Sequence, residues 1–380
     1  MKAADTLPAL LRRNAAGFGA RATLREKRGG IWRALSWSDY ATLVSRCAAG
    51  LAAHGFGRGD RLAVIGDNRP RLYAAMLAAQ SLGGAAVPLW PDAEPDRIAL
   101  VLNHAGVSIA VAEDAEQVDA IAAIKDRTPA LRLVVQTTSH GMRLAEYDWL
   151  TSFEAVVAAG VGPIEMCTPS DAALLRYDSD AGASGAPVSH ADLLAAADAV
   201  IASADIRPTD ETLAWLPMAW FGDALASQAL ALSVGFTCNC PERPETARRD
   251  LREIGPTILI APPHVWESLL ADIATRAVQS TALKRTLFAR FRAVAERVER
   301  HREAGENVPA GLQIRHALGE ALAHAPLRDQ IGLRRLRWAS TGGEPLAPAV
   351  LHGLRAFGIN LRPSHGMPEQ SSAVWEPAHA

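Results

Sequence analysis

The run Asp60-Arg61-Leu62-Ala63-Val64-Ile65, the helical stretch at 72–82, the pair Gly83-Gly84 and the run Ala85-Ala86-Val87-Pro88 decide the fold. Two continuously apolar runs of strand length, separated by a helix-length segment, read as a strand, a crossover helix and a parallel strand. Such strands are covered by helices on both faces, which is why they are apolar throughout rather than alternating. Gly83-Gly84 stops the helix as a left-handed cap would, and Pro70 and Pro95 stand where helices begin. The rhythm continues with a helix at 96–103, a strand at 108–112, a helix at 118–124 and a strand at 131–135. The class is therefore α/β, with mixed, largely parallel sheets flanked by helices.

Beyond a polar, proline-containing stretch at 160–170, the pattern resumes with strands at 212–216, 236–239 and 257–260, helices at 222–233 and 245–254, and a further helix after Pro262-Pro263. Two α/β subdomains follow, residues 1–170 and 171–380. At 283–301 the chain is helical and basic, with Leu287, Phe291, Val294 and Val298 in one stripe at spacings of four, three and four. Glu296 and Glu299 dilute the basic face, which favours a covering helix with a solvated charged side over a membrane-surface helix.

Composition bounds the function. With 49% hydrophobic and 21% charged residues, a chain of 380 residues buries a core without disulfides. Lys and Arg number 39 against 41 Asp and Glu, so no overall field favours nucleic acid, and any anion site is local. Cys238-x-Cys240 lacks the second ligand pair of a structural zinc site; together with Cys47 and Cys167 it reads as thiols in a reducing compartment. No run offers the ~18–20 apolar residues of a membrane span. A cytoplasmic protein without a transmembrane segment is the expectation.

Open α/β sheets bind ligands beyond the carboxyl ends of their strands. Two such loops stand out. The strand-like 172–175 leads into Tyr177-Asp178-Ser179-Asp180-Ala181-Gly182-Ala183-Ser184-Gly185-Ala186-Pro187 and then a helix. Small residues opening a helix expose backbone N–H groups to an anion, although a plain surface loop has the same composition. The strand-like 336–340 leads into Ser340-Thr341-Gly342-Gly343-Glu344-Pro345-Leu346, a helix, and Ser364-His365-Gly366-Met367-Pro368-Glu369.

These segments stand in a recognisable order. Trp37-Ser38-Asp39-Tyr40, Gly57-Arg58-Gly59-Asp60, Asp67-Asn68-Arg69-Pro70 and Gly84-Ala85-Ala86-Val87-Pro88-Leu89 come first. Leu216-Pro217-Met218-Ala219-Trp220, Glu253-Ile254-Gly255-Pro256-Thr257, Ala261-Pro262-Pro263-His264-Val265-Trp266-Glu267, Gly342-Gly343-Glu344-Pro345-Leu346 and Gly366-Met367-x-Glu369 follow. In this order the chain resembles the adenylate-forming superfamily of AMP-binding enzymes, most of all the long-chain acyl-CoA synthetases, over nearly its whole length. The resemblance implies the large N-terminal domain of such a synthetase, incomplete at its C-terminus and without the small C-terminal catalytic domain.

The resemblance also implies a reaction: ATP-dependent activation of a fatty or other carboxylic acid to an acyl-adenylate, with Mg²⁺, then transfer to coenzyme A. On it, Gly342, Gly343, Glu344 and Pro345 lie along the adenine of ATP or AMP, His365 and Gly366 border it, and Glu369 holds Mg²⁺. Trp220 flanks the acyl pocket, although Trp220 and Trp266 equally suit a core. Ser179, Gly182, Ser184 and Gly185 belong to a degenerate phosphate loop, shorter than the family's by about two residues and lacking its threonines and lysine. Asp178 and Asp180 stand there instead; a unit charge facing another at ~6 Å and an effective dielectric of ~20 costs about 3 kcal/mol. Pro368 stands where a threonine is expected. The sequence thus points to an impaired synthetase homologue, for which a separately encoded C-terminal half is one route to activity, to a catalytically silent acyl- or nucleotide-binding scaffold, or to a decayed gene product.

Overall fold

The computed structural model describes residues 5–138, 144, 146–160, 166–177, 185–342 and 346–362. Within these residues the strands are β1 Ala22–Arg28, β2 Ile31–Ser36, β3 Arg61–Ile65, β4 Ala85–Leu89, β5 Ile109–Ala112, β6 Leu133–Gln136 and β7 Leu150–Ser152. They continue with β8 Ala172–Tyr177, β9 Gly185–Ser189, β10 Glu211–Leu213, β11 Thr237–Cys240, β12 Ile258–Ala261, β13 Trp338–Thr341 and β14 Leu361–Arg362. Three sheets result, ordered β7-β6-β5-β3-β4-β8-β9, β10-β11-β1-β2 and β12-β13-β14. Pairing is parallel except at β1/β2 and β8/β9.

The apolar runs behave as their composition requires. Leu62 to Ile65 and Ile109 to Ala112 are at most 1% exposed, covered on both faces of the seven-stranded sheet. The helix between β3 and β4, Pro70–Ser81, is buried on every side except at Arg71, and it contacts β1 of the four-stranded sheet as well as β3, β4 and β5. Small residues (Ala74, Ala75, Ala78, Ala79) let both sheets close on it. Gly83, at φ +74°, ends it in the left-handed conformation read from the sequence.

The second unit divides differently from the simple repeat. Its strands fall into two sheets: β10 and β11 join β1, while β12, β13 and β14 form their own. A βα rhythm fixes parallel pairing, but edge partners are chosen by long-range packing. The β1/β2 hairpin, absent from the sequence reading, turns on Gly29-Gly30, whose positive φ angles of 59° and 76° suit a tight type I′ connection. The seven-stranded sheet takes strands from both sides of residue 170, since β8 pairs with β4. We keep a division near 170 as a proposal, one in which the first subdomain is completed by the β8/β9 hairpin.

Buried charges tie the sheets together. Lys27 of β1, 3% exposed, donates to Asp250 at 2.7 Å and Glu253 at 2.5 Å. Burial alone would lower the ammonium's pKa, but the two carboxylates hold it above its usual value. Asp210, 1% exposed, accepts from Thr257 at 2.7 Å and from Arg337 at 2.6 Å, joining the end of the four-stranded sheet to the three-stranded one.

The helices Trp37–Ala53 and Phe153–Ala159 meet where Gly50 has no side chain: a methyl there would lie 2.0 Å from the Val156 carbonyl oxygen. Gly50→Ala is expected to cost about 1–3 kcal/mol in urea unfolding. Gly17→Ala, in the helix Leu7–Phe18 with nothing within 4 Å, is expected to gain about 0.5–1 kcal/mol. Equal effects of the two substitutions would show that backbone contact at Gly50 is not limiting.

Candidate functional site

The turn that begins at Gly342 is built from the strand before it. Trp266, 0% exposed, donates its indole N–H to the carbonyl oxygens of Ala261 at 3.1 Å and Ser340 at 3.2 Å, pinning together the carboxyl ends of β12 and β13. Trp266 is thus a core aromatic whose polar handle sets the spacing of two strand ends. The Gly342 amide donates to Ala261 O at 3.3 Å, so the chain leaves β13 at a defined point. Beside it, Thr341 is 2% exposed and its hydroxyl has no partner among the described residues.

Trp220 precedes a short helical turn, Phe221–Asp223, that continues into a π-helical segment, Ala224–Leu230, and the helix Ala231–Val234. It is 7% exposed and belongs to the core cluster between the two larger sheets. Its ring covers Gly222, where a methyl would lie 1.8 Å from Cζ3. This glycine exists because the indole lies on the backbone.

Next to Trp220 lies a group that the sequence reading passed over. Asp223, 2% exposed, accepts from Tyr73 Oη at 2.8 Å, Asn68 Nδ2 at 3.1 Å and Ser227 Oγ at 2.7 Å. Burial pushes its carboxyl up to about 7, with the hydrogen bonds from Ser227, Tyr73 and Asn68 pulling the other way. The network fixes the Trp220 segment to the central helix. An acid inside the stretch 219–232, where Ser227 and Gln228 are the other polar residues, was the available signal.

Gly185 opens β9 opposite Tyr177 of β8; a methyl there would lie 2.7 Å from the Tyr177 ring carbon Cζ and hydroxyl oxygen. Tyr177 Oη is in turn 2.8 Å from His104 Nδ1. Gly185 therefore serves the close approach of a tyrosine at the mouth of the loop. Ser179, Gly182, Ser184, Asp178 and Asp180 lie outside the described residues, as do Gly343, Glu344, Pro345, His365, Gly366, Pro368 and Glu369. The three that are described stand on different elements: Gly185 in the seven-stranded sheet, Trp220 before the helical turn Phe221–Asp223, Gly342 at the end of β13 in the three-stranded sheet.

A cleft of about 860 Å³ opens elsewhere, beyond the carboxyl ends of β3, β5 and β6. Its lining carries the acids Glu26, Asp67, Asp92, Glu113, Asp114, Glu116, Glu242 and Glu245 and the bases Lys27, Arg28, Arg69 and Arg243, a net acidic set. Within it Arg69 pairs with Glu113 at 2.6 Å and donates to the carbonyl oxygens of Pro241 at 2.6 Å and Glu242 at 2.8 Å, again joining two sheets. Burial and the neighbouring Glu113 push Asp67 up to about 6, against the pull of Arg69. Among the described residues no three His, Cys, Asp or Glu side chains are grouped to hold a metal ion.

The Asp223 shift has a definite sign. Between 3.8 and about 7 the unfolded chain releases a proton that the native state keeps, so rising pH opposes folding across that window. The cost is on the order of 4 kcal/mol when complete. Asp223→Asn is expected to gain stability relative to the wild type between about pH 4 and about pH 8, measured by urea unfolding. His190 and His324, lowered to about 4 by burial, act in the opposite direction and cancel in the difference. A difference independent of pH would refute a buried neutral acid.

Comparison with known proteins agrees with this arrangement. A family model described as AMP-binding enzyme matches residues 11–379. The long-chain-fatty-acid–CoA ligase ACSBG2 of Rattus norvegicus is 23% identical over 96% of this chain and 57% of its own length. The peroxisomal long chain acyl-CoA synthetase 7 of Arabidopsis thaliana is 24% identical over 89% of this chain and 49% of its own. The chain thus spans about half the length of the curated relatives it matches. Among solved structures, the adenylation domain of a carboxylate reductase from Mycobacterium chelonae superposes with a TM-score of 0.72 at 19% identity, covering 94% of this chain and 57% of that one. The anthranilate CoA ligase AuaEII, in complex with anthranoyl-AMP, gives 0.71 at 15% identity, covering 95% and 60%. At these identities the structures establish a shared fold, and the match across nearly the whole sequence establishes descent: the chain belongs to the AMP-binding enzyme family.

Proposed function

We propose that this chain carries the adenylate- and acyl-binding part of a long-chain fatty-acid–CoA ligase, and that its handling of the ATP phosphates is weakened. The supporting observation is the Gly342 turn, set at the carboxyl end of β13 by the buried Trp266, in a chain whose family match runs from 11 to 379. The relatives named as long-chain ligases give the substrate class, a long-chain carboxylic acid. In the proposed reaction a carboxylate oxygen attacks the α-phosphorus of ATP, the new P–O bond forms, and the α–β bridging bond breaks to release pyrophosphate. Charge stabilisation dominates such a step.

In this reading Gly342, with Gly343, Glu344 and Pro345 beyond it, lies along the adenine, and His365 and Gly366 border it. Trp220, held by Asp223, walls the acyl chain. Ser179, Gly182, Ser184 and Gly185 form the loop nearest the phosphates, where Asp178 and Asp180 raise the cost of binding them. Glu369 is the proposed Mg²⁺ ligand. Transfer to coenzyme A is proposed for the whole protein, with a separately encoded C-terminal half as the proposed partner. Asp178 and Asp180 also favour a second reading, a silent acyl-adenylate-binding protein.

A thermal-shift titration separates the two halves of the site. A non-reactive long-chain acyl-adenylate analogue at a hundred times its Kd is expected to stabilise the chain by about 2.7 kcal/mol, and Mg-ATP at the same concentration by far less. No shift with the analogue refutes the proposal. Trp220→Ala is expected to weaken the long-chain analogue while leaving AMP binding unchanged. Equal loss for both ligands would make Trp220 a core residue only.

A further inference from the structure

Two buried side chains on different elements each leave one polar atom unspent. Trp37, 0% exposed, opens the helix Trp37–Ala53, and its indole N–H has no acceptor among the described residues. Gln228, 3% exposed, belongs to the π-helical segment Ala224–Leu230. Its amide nitrogen donates to Met76 Sδ at 3.7 Å, while its Oε1 has no donor among the described residues. Both side chains line one space of about 10 Å³, against Thr23 and Leu24 of β1, Cys238 of β11 and Leu77 of the central helix. All the residues around it are buried, so the space lies in the interior.

The chemistry of the two atoms narrows what can satisfy them. An indole N–H only donates and an amide oxygen only accepts, and burying either without a partner is costly. A cation would meet the indole proton and an anion would meet the amide oxygen, so neither ion suits both. The protein's own partners at this place are soft: Met76 sulfur for the Gln228 amide nitrogen, and Cys238 Sγ, 3.8 Å from the Ser227 carbonyl oxygen that precedes Gln228. Sulfur makes weak hydrogen bonds, and the π-helical turn widens the helix at this level, so side chains rather than the regular ladder hold it.

We propose that this space is a binding site for one water molecule, which accepts a hydrogen bond from Trp37 Nε1–H and donates one to Gln228 Oε1. Its size is that of a single water, and a held water makes about three such contacts. Thr23 and Tyr40, whose hydroxyl-bearing side chains line the same space, are the residues from which the third comes. The water ties the helix Trp37–Ala53 to the π-helical segment that continues the turn after Trp220. The inference goes beyond the proposed reaction and holds whether or not the chain turns over substrate.

Two measurements on the full chain test this. A crystal structure is expected to show one ordered water within about 3.2 Å of both Trp37 Nε1 and Gln228 Oε1. In solution, with the indole nitrogens isotopically labelled, Trp37 Nε1–H is expected to give a cross-relaxation peak at the water frequency, with the sign of a held water; Trp37→Phe identifies the signal by its loss. Gln228→Met keeps the side-chain length and the neighbouring hydroxyls but removes the acceptor. It is expected to abolish the peak while the other indole signals stay in place, which shows that the variant folds; if it does not fold, the wild-type crystal structure decides alone. A direct Trp37–Gln228 hydrogen bond, or a crystal structure with no water between them, overturns the proposal. So does the absence of the peak in the wild-type chain, or its full retention in Gln228→Met, which would assign it to exchanging protons of Thr23 or Tyr40.

Discussion

A helix that meets water only at one residue must be largely apolar and small, and the helix Pro70–Ser81, open only at Arg71, is under that constraint here. It fills the space between the seven-stranded and four-stranded sheets. Gln80 donates to the Ala173 carbonyl at 3.0 Å on β8, and Tyr73 donates to Asp223. Arg69, at its N-cap, reaches Glu113 and the carbonyl groups after β11. Burial of this one element therefore sets where the β8 hairpin, the Trp220 segment and the end of the four-stranded sheet stand relative to one another.

Buried charge does the complementary work of choosing partners. Lys27 with Asp250, Arg69 with Glu113 and Asp210 with Arg337 each join segments far apart in sequence. Taking such charges out of water is expensive, and removing one partner strands the other. Apolar packing alone would permit several sheet arrangements; each of these pairs is satisfied in one. Asp223 differs, since it meets only neutral donors and keeps its proton near neutrality.

The candidate site inherits this construction. Its described members stand on separate elements and are each held by a neighbouring group: Trp266 behind Gly342, Asp223 behind Trp220, Tyr177 behind Gly185. The supporting residues decide whether the strand ends hold a common spacing, which is what positioning of reactants demands.

The sequence by itself determined the class of fold, because continuous apolar runs such as Leu62–Ile65 and Ile109–Ala112 admit no environment except a sheet covered on both faces. It determined the family as well, since many short motifs in one order carry more information than any of them alone. It left open which sheet each later strand would join and whether Trp220 and Trp266 were wall or core. It passed over the β1/β2 hairpin and Asp223, although Gly29-Gly30 and an acid in a largely apolar run were visible signals. Tertiary structure decided the strand partners, the hairpin and the core position of Trp266. Strand partners and the protonation of Asp223 depend on what lies across space, and neither periodicity nor local propensity encodes contacts between residues more than a hundred positions apart.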